Sequence, residues 1–249
     1  MLPDLRLVVP MAGRGSRFSR QGAVLPKPLM ELEGKPFFWW ATESVRRSAS
    51  ITECVFVVLD EHIATFGIRE QIQAFYPDAT VVGIPDVTSG AAETAAIGLR
   101  ALQTRGPVAI NDCDHAFACP AILSIAGALR DEIDAALLCF RSDDPAYSYA
   151  RLAEDGRVLG TVEKKVASPL AIAGCYLFSG PELFSSLYEQ YLKECPYDEL
   201  FLSGLYNQLA AREGRIATAI ASRHFSFGTP EELAALDRRP FHSDGEWLA

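Results

Sequence analysis

The stretch Leu5-Arg6-Leu7-Val8-Val9-Pro10-Met11-Ala12-Gly13-Arg14-Gly15-Ser16-Arg17-Phe18 decides the fold. Its first half is an apolar run with β-branched residues, which reads as a buried strand, and it breaks into a glycine turn. Downstream the same alternation continues: a helical period over 36–49, a strand at 51–60, a helix at 62–76 and a strand at 79–85. An Ala-rich helix at 89–104, opened by Ser89-Gly90, leads to a strand at 107–112. Strand and helix exchanging over short connections predicts a parallel sheet covered on both faces.

The second half is less regular. The pattern predicts a helix at 121–132, a strand at 134–142 and a hairpin over 147–165 that turns at Glu154-Asp155-Gly156. A strand at 170–179, helices at 181–194 and 198–214, a strand at 216–222 and a closing helix at 229–239 complete the chain. Thr229 caps that last helix and Pro230 takes its first position. With 249 residues, 49% apolar and 22% charged, and no repeat or linker, the chain is expected to form one domain over 1–249.

Lys plus Arg total 23 against 32 Asp plus Glu, a formal charge of −9. That balance argues against nucleic acid and anionic membrane as partners, while leaving room for a local cationic pocket. No apolar run approaches the roughly 18 residues of a membrane span, and the first residues lack a signal-peptide pattern, so a cytoplasmic protein is expected. The six cysteines have no CxxC spacing and several sit in apolar runs, which points to reduced, buried thiols. The four histidines are scattered, and structural zinc is disfavoured.

Two constellations carry chemistry. Glycines 13 and 15 after a buried strand let backbone N–H groups converge on a phosphate, with Arg17 available as a planar fork. Lys27, stiffened between Pro26 and Pro28, offers a positioned positive charge. Read without context, a Gly-x-Gly also serves as a plain turn, and neither the dinucleotide fingerprint nor the Walker spacing is present. The second constellation is Asp112-Cys113-Asp114 at the end of the 107–112 strand, where α/β sheets collect ligands. Two carboxylates there suit Mg²⁺, although aspartates also commonly terminate strands.

The run Pro10-Met11-Ala12-Gly13-Arg14-Gly15-Ser16-Arg17-Phe18, followed by Leu25-Pro26-Lys27-Pro28-Leu29 and Gly34-Lys35-Pro36, resembles the signature of sugar-1-phosphate nucleotidylyltransferases. The resemblance runs from Val8 to about Leu236. It implies a three-layer α/β/α Rossmann-like sandwich on a mostly parallel mixed sheet, with a nucleotide-binding half about 1–118 and an acceptor-binding half about 119–249. The implied reaction joins an NTP to a phosphorylated acceptor, most simply a sugar 1-phosphate, and releases pyrophosphate. It implies Ala12, Gly13, Gly15 and Ser16 around the triphosphate, Ser89 and Gly90 near the base, and Arg17 and Lys27 as catalytic cations. Asp114 falls on the family's metal ligand, and Asp112 matches the first acid of the Asp-x-Asp in related glycosyltransferases, so both are expected to hold Mg²⁺. Glu163 and Lys164 match the acceptor-binding V-x-E-K element, and Gly174 the glycine over which the acceptor ring passes.

Two positions depart from the family. Ile172 stands where many members have asparagine, and Ser226 where the second metal aspartate falls. Both keep open a cytidylyltransferase for a small non-sugar phosphate, and Ser226 a non-catalytic nucleotide-binding module; the shared architecture with its Asp-x-Asp adds a third alternative, a glycosyltransferase using a nucleotide-sugar. The acidic charge is compatible with a homodimer. Asp198-Glu199 is expected to be mainly structural, and His115 to be a hydrogen-bonding residue.

Overall fold

The computed structural model describes residues 4–129 and 131–242, so the outermost positions of the expected 1–249 domain lie outside the described residues. The first strand, β1 (Asp4–Pro10), is followed by a one-turn helix α1 (Ser16–Ser19), a 3₁₀ turn (Lys27–Leu29) and a small ribbon of β2 (Glu31–Leu32) and β3 (Lys35–Pro36). Then come α2 (Phe37–Arg46), β4 (Ser50–Leu59), α3 (Asp60–Phe66), α4 (Ile68–Phe75), β5 (Thr80–Ile84), α5 (Ala91–Arg100) and β6 (Val108–Asn111). The second half carries β7 (His115–Ala118), α6 (Ala121–Ala128), β8 (Ala135–Arg141), β9 (Tyr149–Leu152), β10 (Val158–Val162) and β11 (Leu170–Phe178). It closes with α7 (Pro181–Glu194), α8 (Leu205–Ala211), β12 (Ile216–Ile220), β13 (Arg223–Ser226) and α9 (Pro230–Ala235).

The sheet core runs β5-β4-β1-β6-β11-β8-β12, with the β9–β10 hairpin attached to the start of β11. Strands β1, β4, β5 and β6 are mutually parallel, whereas β11 runs antiparallel to both β6 and β8. This is the mixed, three-layer α/β sheet that the resemblance implies; the alternation by itself predicts its parallel part, β1, β4, β5 and β6.

Side-chain alternation separates the two apolar layers. Leu5, Leu7 and Val9 of β1 join Phe56 and Val58 of β4 under α2, α4 and α6. Val8 with Val55, Val57 and Leu59 faces the opposite layer, formed by α5, α7 and α8. Helix α5 lies close on β1 and β4 because Gly98 faces them: a Cβ there would sit 2.9 Å from Val57 Cγ2.

Besides early helix ends at Arg100 and Ala128, four differences from the sequence expectation stand out. Gly67 adopts a left-handed conformation (φ 60°) and splits the expected 62–76 helix into α3 and α4. The expected helix at 198–214 begins only at the 3₁₀ turn Leu202–Gly204. Residues before it are irregular and bend at 197–199, with Leu200 N–H donating to Ser89 O and Ala92 N–H donating to Leu200 O, both at 2.9 Å. The closing helix ends at Ala235, where Leu236 turns extended, although Thr229 caps it and Pro230 opens it as predicted. The fourth difference is the β7–β13 ribbon, which brings Ser226 opposite His115; each strand has four residues, too few for a period to show.

Candidate functional site

Strands β1 and β6 run parallel, so the chain leaves both at the same edge of the sheet, which places the glycine loop beside Asp112–Asp114. Two adjoining cavities open there, with volumes of about 430 and 750 Å³. Ala12, Gly13, Lys27, Thr88 and Gly90 line the smaller one. Arg17, Glu163, Lys164, Ile172 and Gly174 line the larger. Asp112, Asp114, His115, Glu199, Phe201 and Ala91 line both, so the two aspartates stand at the seam.

The glycine loop has the form of an anion nest. Among the described residues, the N–H groups of Ala12, Gly13, Arg14 and Gly15 donate to no protein acceptor. Gly15 is left-handed (φ 59°) and turns the loop into α1; a Cβ there would lie 3.0 Å from Lys27 Cβ. Gly15 and Ser16 shape the loop without lining either cavity. Arg14 lies outside the cavity linings and pairs with Asp86 at 2.8 Å.

Lys27 Nζ sits 2.7 Å from Asp114 Oδ2. Burial would lower the lysine pKa, yet the Asp114 carboxylate raises it above its ordinary value. Burial would raise that of Asp114, and Lys27 with His115 instead holds it well below the usual carboxylate range. Asp112 behaves oppositely: burial, then the neighbouring Asp114 charge, pushes it up to about 8. The i and i+2 carboxylates therefore sit in different states at neutral pH, one ionised against a lysine and one holding a proton.

Two glycines admit close contacts around this pair. At Gly174 (φ 70°) a Cβ would lie 2.7 Å from the His115 ring and 3.2 Å from Asp112 Oδ2. Gly174 O also accepts from Asp112 N–H at 2.8 Å, and the β11–β8 register shifts across this point. At Gly228 a Cβ would lie 3.1 Å from Asp114 Cγ. His115 Nδ1 shares a 2.8 Å hydrogen bond with His224 Nε2, whose ring stacks on Phe140 at 3.7 Å. His115 is thus a hydrogen-bonding residue tying β7 to β13.

Lys164 has a left-handed backbone (φ 50°), uncommon outside glycine. Adjacent strand residues would face opposite sides; this turn lets Glu163 and Lys164 line the same cavity. Lys164 Nζ lies 5.5 Å over the Phe201 ring.

Not every sequence-derived position lines the cavities. Ser89 lines neither cavity and its carbonyl is taken by Leu200 N–H. Glu93 reaches back to Ser89 N–H at 2.7 Å, closing the helix start as a cap. Sequence reasoning missed Glu199 and Phe201, which line both cavities, because the helix assigned to them begins later. It also missed Tyr147 and Ser148 on the approach to the hairpin, and Glu232, whose Oε1 accepts from Tyr147 Oη at 3.0 Å.

A parallel sheet whose carboxyl edge carries an open N–H nest, a lysine and two aspartates over a bipartite cavity defines a nucleotide-handling α/β transferase. The chain belongs to the MobA-like NTP transferase domain family, whose model matches residues 7–171. It is accordingly a nucleotidyltransferase, an enzyme moving a nucleotidyl group from an NTP. Among solved structures it resembles a nucleoside-diphosphate-sugar pyrophosphorylase from Vibrio cholerae RC9 at 26% identity and TM-score 0.79, over 92% of this chain and 98% of that one. A structure assigned as a glucose-1-phosphate thymidylyltransferase from Bacillus anthracis shares the fold at 18% identity and TM-score 0.75, covering 97% and 96% of the two chains. The inositol-1-phosphate CTP transferase of T. maritima does so at 16% and 0.73, covering 93% and 91%. A search against curated proteins returned no significant match.

Proposed function

We propose that this nucleotidyltransferase condenses an NTP with a sugar 1-phosphate, yielding a nucleotide-activated sugar and pyrophosphate. The observation that carries the reading is the seam: two cavities, one lined by the glycine loop and Lys27 and one by Glu163-Lys164, meet at Asp112 and Asp114, the latter paired with Lys27. A triphosphate in the smaller cavity and an acceptor phosphate in the larger would then face each other across that seam.

The roles follow from local chemistry. The nest at Ala12–Gly15 binds phosphate oxygens through backbone N–H groups, which neutralises charge without a mobile side chain. Lys27 holds a positive charge beside the α-phosphoryl oxygens, which carry the negative charge as the acceptor oxygen attacks phosphorus and pyrophosphate leaves. Arg17 lines the larger cavity and guides the acceptor phosphate. Lys164 binds that phosphate, Glu163 accepts from an acceptor hydroxyl, and Gly174, whose missing Cβ admits His115 and Asp112, lines the cavity where the ring would lie. Gly90 gives the base-side wall a close backbone approach.

The residues fit Mg²⁺. Among the described residues no group of three or more His, Cys, Asp or Glu forms a closed metal cage. Mg²⁺ needs none, since it takes one or two carboxylates and completes its shell with water and substrate phosphates. Asp112, protonated at neutral pH beside Asp114, is a carboxylate whose ionised form a cation would favour. Asp112 and Asp114 would hold the ion, which would supply charge neutralisation at the transferring phosphoryl group.

A second reading, CTP with a small non-sugar phosphate, is favoured by one observation: Ile172 lines the larger cavity and presents no hydrogen-bonding group. No helix among the described residues is long and apolar enough to cross a membrane, and the dependence on NTP supports a cytoplasmic setting.

The test is pyrophosphate release with Mg²⁺, each NTP being paired with a panel of sugar 1-phosphates and small phosphomonoesters. Release confined to one NTP and one sugar 1-phosphate, falling at least about 100-fold in Lys27→Ala, is expected. Release only with a non-sugar phosphate would select the second reading, and silence across the panel with NTP still bound would refute both.

A further inference from the structure

The larger cavity contains one carboxylate held in a frame built from three elements. Glu163 follows β10, and Ser148 Oγ, from the segment before β9, donates to its Oε1 at 2.5 Å. Ser203 Oγ, from the 3₁₀ turn before α8, donates to the same oxygen. Ser203 is 1% exposed. Its carbonyl accepts from Thr161 Oγ1 at 2.7 Å. Asn207 of α8 in turn holds Thr161, accepting from its N–H at 2.9 Å and donating to its Oγ1 at 3.2 Å. The turn itself is wedged on α7, since a Cβ at Gly204 would lie 2.6 Å from Tyr191 Cε2. Ser148 is anchored by its neighbour: the buried Tyr149 donates through its hydroxyl to Asp144 O at 2.7 Å.

Two hydroxyl donors on one oxygen use up the in-plane acceptor sites of Oε1. Among the described residues no protein hydrogen bond reaches Oε2. A free glutamate on a cavity wall would sample several rotamers and present either oxygen. This one is confined to a single orientation before any ligand arrives.

We propose that Ser148 and Ser203 are positioning residues for acceptor recognition: by saturating Oε1 of Glu163 they leave Oε2 as the open acceptor for a hydroxyl of the phosphorylated substrate. The proposal deepens the sugar-phosphate reading and rests on it for the identity of that hydroxyl. Pre-orientation of this kind lowers the cost of binding the acceptor while leaving the reacting atoms untouched.

The experiment compares wild type with Ser148→Ala, Ser203→Ala, the double variant and Ser148→Thr, using the sugar 1-phosphate that supports turnover. Each alanine variant is expected to raise the acceptor KM about tenfold, with kcat and the NTP KM within about twofold of wild type. Ser148→Thr keeps the hydroxyl and is expected to restore the acceptor KM. In crystals of the double variant the Glu163 carboxylate is expected to leave its wild-type orientation. An unchanged acceptor KM in variants that melt like wild type would overturn the proposal. So would a parallel loss in kcat and both KM values, or a Glu163 that stays in place with both hydroxyls gone. If wild type turns over no sugar phosphate, the sugar-phosphate reading fails, and the Glu163 orientation in the variant crystals still decides the positioning role.

Discussion

Replacing Asp112 by Asn is expected to stabilise the ligand-free protein at alkaline pH while abolishing transfer. In the folded protein the carboxyl titrates at about 8, against an ordinary 3.8. An acid whose folded pKa lies above its unfolded value is bound to a proton in the native state while the unfolded chain has released it. Stability is therefore whole below about pH 4, is lost as pH rises towards 8, and changes no further above that. At about 1.4 kcal/mol per pH unit, a gap of about 4 units sets a ceiling near 6 kcal/mol. Asparagine matches the shape and carries no charge, so the variant escapes this loss. Urea unfolding in chelator, followed by the fluorescence of buried Trp39 and Trp40, measures the difference directly. The two proteins should match near pH 4 and diverge up to pH 8, the variant then unfolding at a higher urea concentration than wild type. A difference that stays constant from pH 4 to pH 9, or a variant that is less stable at pH 9, would refute the reasoning.

Gly90→Ala is expected to destabilise by about 3 kcal/mol or more, because its Cβ would lie 2.6 Å from Leu200 N and O at a backbone φ of 152°. A melting temperature within about 1 °C of wild type would contradict that reading of the Ser89–Leu200 junction. In native protein, a thiol reagent near neutral pH should titrate Cys195 alone. The other five cysteines are buried, and burial pushes Cys54, Cys113 and Cys139 up to about 12. All six should react in denaturant, and rapid labelling of two or more before unfolding would show the core to be more open than described.

Legibility followed the physics of each segment. The β1, β4 and β6 strands are plain because a strand buried on both faces is written as a nearly continuous apolar run, as in Leu7–Val9, Val55–Leu59 and Val108–Ile110. The helix over 62–76 was misread as one piece because its apolar period continues through Gly67, and only the left-handed backbone there shows the break. Asp198–Phe201 carries helix-compatible residues, yet Leu200 exchanges hydrogen bonds with Ser89 and Ala92 across more than a hundred residues. No local pattern encodes such a bond.

The sequence by itself determined the layered α/β architecture, the glycine loop, Lys27 between its prolines, and the Asp112-Asp114 pair, because each is written in consecutive residues whose types restrict the backbone or supply the charge. Tertiary structure alone decided what those residues face. It paired Lys27 with Asp114, set Asp112 apart from it electrostatically, drew Ser148 and Ser203 from separate segments onto Glu163, and put Glu199 on the same cavity wall. Electrostatic state depends on burial and on charges a few ångströms away, and both are fixed only when distant strands and loops are packed against one another.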